Sequence, residues 1–259
     1  SSVETVISAS SRHRSLKADG RPGYRFGTMT TSAADSSSPP QVTVTGMEIT
    51  PCTSFSDLHL THPSLPDLLS RFPRPTPIQA HAWPALLAKR DVIGISATGS
   101  GKTLAFSVPI IERLHRKNRV KKGRVAWLTV APTRELALQT YEVIRGVLPS
   151  VCIYGGESKR DQIRAVRQTR PVAVVATPGR LLDLIADGEL DVSGVRHLVL
   201  DEADRMLDLG FEPEIKKIVA HIRPVEKRQT IMFSATWPAA VQRMAERYLA
   251  ADPVRIHVQ

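Results

Sequence analysis

The stretch Ser96-Ala97-Thr98-Gly99-Ser100-Gly101-Lys102-Thr103 combines two glycines with a lysine and a hydroxyl, residue types suited to holding a polyphosphate. Gly99 and Gly101 let the backbone curl so that several N–H groups point at one anion. Lys102 can reach the β- and γ-phosphates of a nucleotide, and the hydroxyl of Thr103 can take a place on Mg²⁺. Ser96 stands where the pattern usually carries glycine, and its small side chain is expected to be tolerated. A second constellation, Asp201-Glu202-Ala203-Asp204, supplies adjacent carboxylates. Asp201 is suited to hold Mg²⁺ through water, and Glu202 to orient and deprotonate a hydrolytic water. Each has a plain alternative, a Gly/Ser turn for the first and an acidic helix start for the second. Their presence together in one chain favours a nucleoside triphosphate site.

Both constellations depend on elements that place them. A strand over Asp91–Ile95 leads into the first and a helix over Lys102–His115 follows, the strand, loop and helix setting that a P-loop requires. The apolar run His197–Leu200 ends directly on the acids, which puts them at the carboxyl edge of a sheet, where open α/β folds bind ligands. Further strands are predicted over Val125–Val130, Val151–Tyr154, Val172–Ala176, Thr230–Phe233 and Val254–Val258. Helices are predicted over Arg134–Val147, Lys159–Gln168, Pro178–Asp187, Glu212–His221 and Pro238–Tyr248. This alternation predicts an α/β fold over residues 51–259, a mostly parallel β-sheet sandwiched by helices.

Residues 1–50 hold ten serines and seven threonines and few large apolar side chains, so a disordered tail is expected there. The chain opens with Ser1 and its first methionine is Met29, so the amino end is expected to be incomplete or over-extended, with Met29 a candidate start. The 259 residues carry 35 Lys+Arg against 25 Asp+Glu, a formal net charge of +10, which favours a polyanionic partner such as nucleic acid. A hydrophobic share of 42% excludes a wholly disordered chain. Two cysteines, Cys52 and Cys152, exclude a disulfide framework and suit a reducing compartment. No apolar run approaches the roughly 18 residues of a membrane-spanning helix. Trp83, Trp127, Met206, Leu207, Leu209 and Phe211 read as core, and the eight histidines show no ligand spacing.

The P-loop and the Asp-Glu-Ala-Asp string together resemble the DEAD-box RNA helicase family, and further motifs occur in that family's order. Phe72-Pro73-Arg74-Pro75-Thr76-Pro77-Ile78-Gln79 resembles its adenine-reading Q motif, with Arg71 in place of the usual glycine and Phe55 as the upstream aromatic. The resemblance implies that Gln79 hydrogen-bonds the adenine edge and that Phe72 packs on the ring, with Thr76 in the same motif. A side-chain amide can both donate and accept, as adenine selection demands. Pro132-Thr133-Arg134, Gly155-Gly156 and Thr177-Pro178-Gly179-Arg180 resemble segments that grip the backbone of single-stranded RNA, contacts that position a strand without reading its sequence. Arginine at a helix amino end is disfavoured by the dipole, which makes a phosphate partner for Arg134 and Arg180 attractive. Ser234-Ala235-Thr236 resembles the motif whose hydroxyls, with Asp204, couple the acids to the RNA side.

The resemblance covers residues 55–259 and implies a RecA-like P-loop domain, the first of the two RecA-like domains of such a helicase. It implies ATP and Mg²⁺ as cofactors, RNA as partner, a second RecA-like domain elsewhere in the full-length protein, and a nuclear, nucleolar or cytoplasmic location. The competing expectation is a single-domain, non-enzymatic module that binds RNA or another partner through a nucleotide-sensitive surface.

Overall fold

Buried parallel strands read as unbroken apolar runs, and this chain supplies them between amphipathic helices. The computed structural model describes residues 40–118 and 120–259. In order they form β1 (Val42–Thr45), a 3₁₀ turn (Phe55–Leu58), α1 (Leu65–Leu69), α2 (Pro77–Leu87), β2 (Val92–Ile95), α3 (Lys102–Arg116), β3 (Trp127–Val130) and α4 (Arg134–Ile144). There follow β4 (Ser150–Ile153), α5 (Lys159–Thr169), β5 (Ala173–Ala176), α6 (Pro178–Ala186), β6 (His197–Leu200), α7 (Ala203–Asp208) and α8 (Glu212–Ala220). A 3₁₀ turn (Val225–Lys227), β7 (Gln229–Ser234), α9 (Ala239–Tyr248) and β8 (Val254–Val258) complete the series.

The sheet runs β1-β8-β2-β7-β6-β3-β5-β4. All neighbours are parallel except β1, which pairs antiparallel with β8 through the register Val42↔Val258 to Thr45↔Arg255. Successive side chains point to opposite faces, so each central strand feeds two cores. Trp127, Val199, Ile231 and Phe233 join α1 to α4 on one face, whereas Leu128, Leu200 and Met232 join α5 to α9 on the other. Gly94, the register partner of Phe233, leaves room for the Phe233 ring on the sheet face, because a Cβ there would lie 2.1 Å from a ring carbon.

Two expectations need correction. Val42–Thr45 lies within the stretch that serine and threonine content assigns to the tail, yet it forms the edge strand β1, with Val42 and Val44 packed against the core. Alternating β-branched residues satisfied the period of a strand where composition pointed to disorder. Residues 1–39, with the candidate start Met29, lie outside the described residues. Leu209, expected in the core, is 52% exposed at the end of α7, while Met206 is fully buried. Trp83 and Trp127 are both fully buried.

Both thiols are free. Burial pushes Cys152 up to about 12 and raises Cys52 as well, with Asp57 adding to the latter. No helix among the described residues is long and apolar enough to cross a membrane.

Candidate active site

The P-loop begins where β2 stops. Ser96 N–H donates to the Ser234 carbonyl at 3.1 Å, which fixes the loop to the end of β7. Gly99 and Gly101 sit at φ 79° and 93°, in the left-handed region that favours glycine. Gly101 is doubly required, since a Cβ there would lie 2.4 Å from Gln79 Nε2. Ser96 does more than fit: its hydroxyl shares a 2.9 Å hydrogen bond with that of Ser100 across the loop. Lys102 is buried and folds back on the loop, its Nζ donating to the carbonyls of Ser96 at 3.0 Å and Ala97 at 3.3 Å. Ala97, Thr98 and Gly99 are exposed, and Thr103 is half-buried in the first turn of α3.

The acids lie two strands away. Asp201 N–H donates to Val130 O at 3.0 Å, prolonging the β6–β3 ladder by one rung. Its carboxyl is buried and pushed up to about 6, by burial first, with the Lys102 ammonium opposing and the carboxylates of Glu202 and Asp204 adding to the rise. Lys102 and Asp201 therefore share one electrostatic pocket. Asp201 Oδ1 has no hydrogen-bond partner. Glu202, also buried, is held at φ 54° and ψ 56°, a left-handed conformation that costs a residue with a Cβ on the order of 1–3 kcal/mol. Its carboxylate lies 3.8 Å from Arg205 Nη1.

Asp204 faces the end of β7. Its Oδ2 accepts from Thr236 N at 2.9 Å and Thr236 Oγ1 at 2.8 Å, while its own N–H donates to Ser234 Oγ at 3.3 Å. Burial would raise this carboxyl, but the bonds from Thr236 and Ser234 outweigh it and hold it below the usual range. Ser234 thus touches both halves of the site, the P-loop through its carbonyl and Asp204 through its hydroxyl. The neighbouring order β2-β7-β6 makes this bridge unavoidable.

Mg²⁺ favours oxygen donors and usually takes only one or two carboxylates beside phosphates and water. The unpartnered buried Oδ1 of Asp201 and the Thr103 hydroxyl fit that pattern. Among the described residues no group of three or more His, Cys, Asp or Glu could hold a metal by itself.

In the segment expected to read adenine, Phe55 packs on Trp83 with ring centroids 5.8 Å apart. Phe55, His59, Leu60, Pro66, Leu69 and Phe72 line a cavity of about 440 Å³, and Phe72 is 43% exposed. Gln79 is not in that lining. Its buried amide donates to Gly101 O at 3.0 Å and accepts from Thr76 N at 3.0 Å, joining the start of α2 to the P-loop. The turn at Arg71 needs no glycine: φ there is negative, and Phe72 N–H closes it on Leu69 O at 3.0 Å.

The remaining segments share the same sheet edge beyond the acids, after β3, β5 and β4. Pro132 is buried, and Thr133 caps α4, its hydroxyl accepting from Leu136 N at 3.4 Å. Arg134 pairs with Glu157 at 2.9 Å and lies 4.7 Å over the Tyr154 ring. Gly155, Gly156 and Gly179 are exposed, and Thr177 and Pro178 open α6. Arg180 donates to the Glu157 carbonyl at 3.0 Å and lies 3.8 Å from Asp183. Three segments far apart in sequence therefore meet at Glu157. Sequence reasoning left this residue out, although an acid directly after a glycine doublet in a basic stretch is a visible signal.

A family model described as DEAD/DEAH box helicase matches residues 76–244. The chain belongs to this family. It is 50% identical over 232 residues to the ATP-dependent RNA helicase DBP3 of Cryptococcus neoformans, covering 84% of this chain and 38% of that protein. It is 48% identical over 213 residues to the protein of the same name in Yarrowia lipolytica, covering 80% of this chain and 39% of the relative. The yeast DEAD-box splicing factor Prp28 has a similar structure, with a TM-score of 0.74 and 31% identity over 84% of this chain and 53% of that one. The chain thus spans about two fifths of the length of the curated relatives it matches.

Proposed function

We propose that this chain is the ATP-binding RecA-like domain of an ATP-dependent RNA helicase, coupling ATP hydrolysis to local strand separation. The observation that carries the reading is the Ser234 bridge, whose carbonyl anchors the P-loop while its hydroxyl anchors Asp204. Residues that hold phosphates and residues that activate water are thereby one mechanical unit.

In this reading the triphosphate of ATP lies in the cradle of residues 96–103. Lys102 exchanges the carbonyls of Ser96 and Ala97 for the β- and γ-phosphate oxygens. Phe72 packs on the base, and Gln79 presents its amide to the adenine edge once it turns from Gly101. Thr103 and, through water, Asp201 would hold Mg²⁺, which would supply charge neutralisation to the phosphates when bound. Glu202, aimed by its left-handed backbone, orients the attacking water and accepts its proton. Asp204, Ser234 and Thr236 transmit the state of this site along the sheet edge. Pro132, Thr133, Arg134, Gly155, Gly156, Thr177, Pro178, Gly179 and Arg180 form the track for the RNA backbone, and phosphate contacts there are salt-dependent and indifferent to base sequence. A second RecA-like domain in the full-length protein supplies the arginines that complete the hydrolytic site, so the domain alone turns over slowly. Such an arginine is worth about 10³ to 10⁵ in turnover in phosphoryl-transfer enzymes.

Glu202→Gln in the full-length protein tests the assignment. RNA-stimulated ATP hydrolysis should fall by at least about 10²-fold while ATP affinity stays within a few fold. Turnover retained by this variant would contradict the reading. A wild-type protein that binds RNA but never hydrolyses ATP would favour the non-enzymatic module.

A further inference from the structure

The helix that opens with Lys102 and Thr103 carries, ten residues further on, a carboxylate that plays no part in the site described so far. Glu112 of α3 is fully buried. A lone buried carboxylate is expensive unless donors surround it. Here they do. Thr61 N–H reaches both oxygens at 3.0 Å, Thr61 Oγ1 donates to Oε1 at 2.7 Å, His62 N–H donates to Oε2 at 3.0 Å, and Arg116 Nε donates from one turn along the helix. Burial would raise this carboxyl, yet the bonds from Thr61, His62 and Arg116 hold it below the usual range, so it is ionised at neutral pH.

The gripped segment is the stretch between the first 3₁₀ turn and α1, and it forms part of the cavity wall. His59 and Leu60 line the cavity that Phe55 and Phe72 share. Arg116, braced by Glu112, donates from Nη2 to the His59 carbonyl at 2.7 Å, and His59 itself is left-handed at φ 44°. Behind the wall His62 accepts from Ser64 N at 3.2 Å through Nδ1 and packs edge-on against His115 with centroids 5.0 Å apart. Glu112, His115 and Arg116 occupy one face of α3, as residues spaced three and four apart must. Without this grip residues 59–62 have no regular structure to hold them. The grip also fixes their distance from the head of α3, roughly 15 Å away at 1.5 Å per residue.

We infer that Glu112 is a positioning residue that locks the base-side wall of the cavity to the phosphate-binding helix, and thereby sets how tightly and how selectively adenine is held. The inference rests on the reading of the Phe55–Phe72 cavity as the base site. It differs from a general staple of the fold in one respect: losing it should harm recognition of the base and spare recognition of the phosphates.

Isothermal titration of the protein with Mg·ATP, Mg·GTP and Mg·tripolyphosphate separates the two. Glu112→Gln should lose about tenfold in ATP affinity, equivalent to about 1.4 kcal/mol, change tripolyphosphate affinity less than about twofold, and narrow the ATP/GTP ratio. Equal losses for ATP and tripolyphosphate, or no loss for either in a folded variant, overturn the inference. If Glu112→Gln does not fold, Thr61→Val deletes only the 2.7 Å hydroxyl bond and should show the same bias at about two- to threefold; an unbiased result there overturns it equally. Phe72→Ala is the control for the base site. If it loses the preference for ATP over tripolyphosphate while Glu112→Gln keeps it, the inference fails alone. If the wild-type protein has no such preference, the base-site reading fails and the inference with it.

Discussion

Asp201 is the residue on which opposing demands meet. Folding removes its carboxyl from water and pushes it up to about 6 from a usual 3.8, chiefly through burial. A carboxyl raised by folding stabilises the fold most fully below its unfolded value and loses that contribution as pH rises through the folded one. Asp201→Asn should therefore be more stable than the wild type at pH 7.5, by at most about 3 kcal/mol, with the gap narrowing as pH falls through 6 toward 5. Urea denaturation at the two pH values measures this. A gap that is absent at pH 7.5, or that widens on acidification, would show that the Lys102 charge outweighs burial. The left-handed Glu202 next to it tells the same story in backbone terms: the site keeps arrangements that folding alone would not select.

At the level of elements, the loop after β4 brings together what the sequence keeps apart. Glu157 occupies Arg134 with its carboxylate and Arg180 with its carbonyl. Both partners of the ion pair are largely exposed, so its own contribution to stability is small. Its electrostatic effect on a bound strand is another matter. Glu157→Gln should raise affinity for single-stranded RNA about two- to threefold at low salt and steepen the salt slope by about 1, as read by fluorescence anisotropy. Unchanged binding would place the RNA backbone away from this loop. The elements themselves were largely readable. Val172 to Ala176 is an unbroken apolar run because β5 is buried on both faces, and the P-loop and the acids are contiguous strings attached to such runs. Other features depend on partners that no local pattern reveals. β1 pairs with β8 at the opposite end of the chain, α2 contains Pro84, and α7 has only six residues. Glu112 is gripped by Thr61 and His62, 51 and 50 positions away, and the Gln229 amide donates to the carbonyls of Leu86 and Arg90, 143 and 139 positions away.

Over the whole molecule, one edge of one sheet carries the P-loop, the acids and the glycine-rich segments beyond them, while Phe55, Phe72 and Gln79 come from the elements before β2. From β2 to β4 that edge spans five strand spacings, about 24 Å at 4.7–4.9 Å each, with the P-loop near one end and the glycine doublet at the other. On the proposed function, phosphates of a nucleotide and phosphates of a strand would be held side by side without competing, and a net charge of +10 favours polyanions of either kind. Arg134→Ala combined with Arg180→Ala should weaken binding to single-stranded RNA by similar factors for unrelated sequences and lower the salt slope by about 2. A loss confined to particular sequences would mean base reading in place of backbone contact. The two thiols have a practical bearing on such work. Burial pushes Cys152 up to about 12 and raises Cys52 as well, so neither sulfur is appreciably a thiolate at pH 7. Maleimide dyes should therefore pass over the native cysteines and mark one introduced at the surface, letting fluorescence follow the protein without first stripping out its own sulfur.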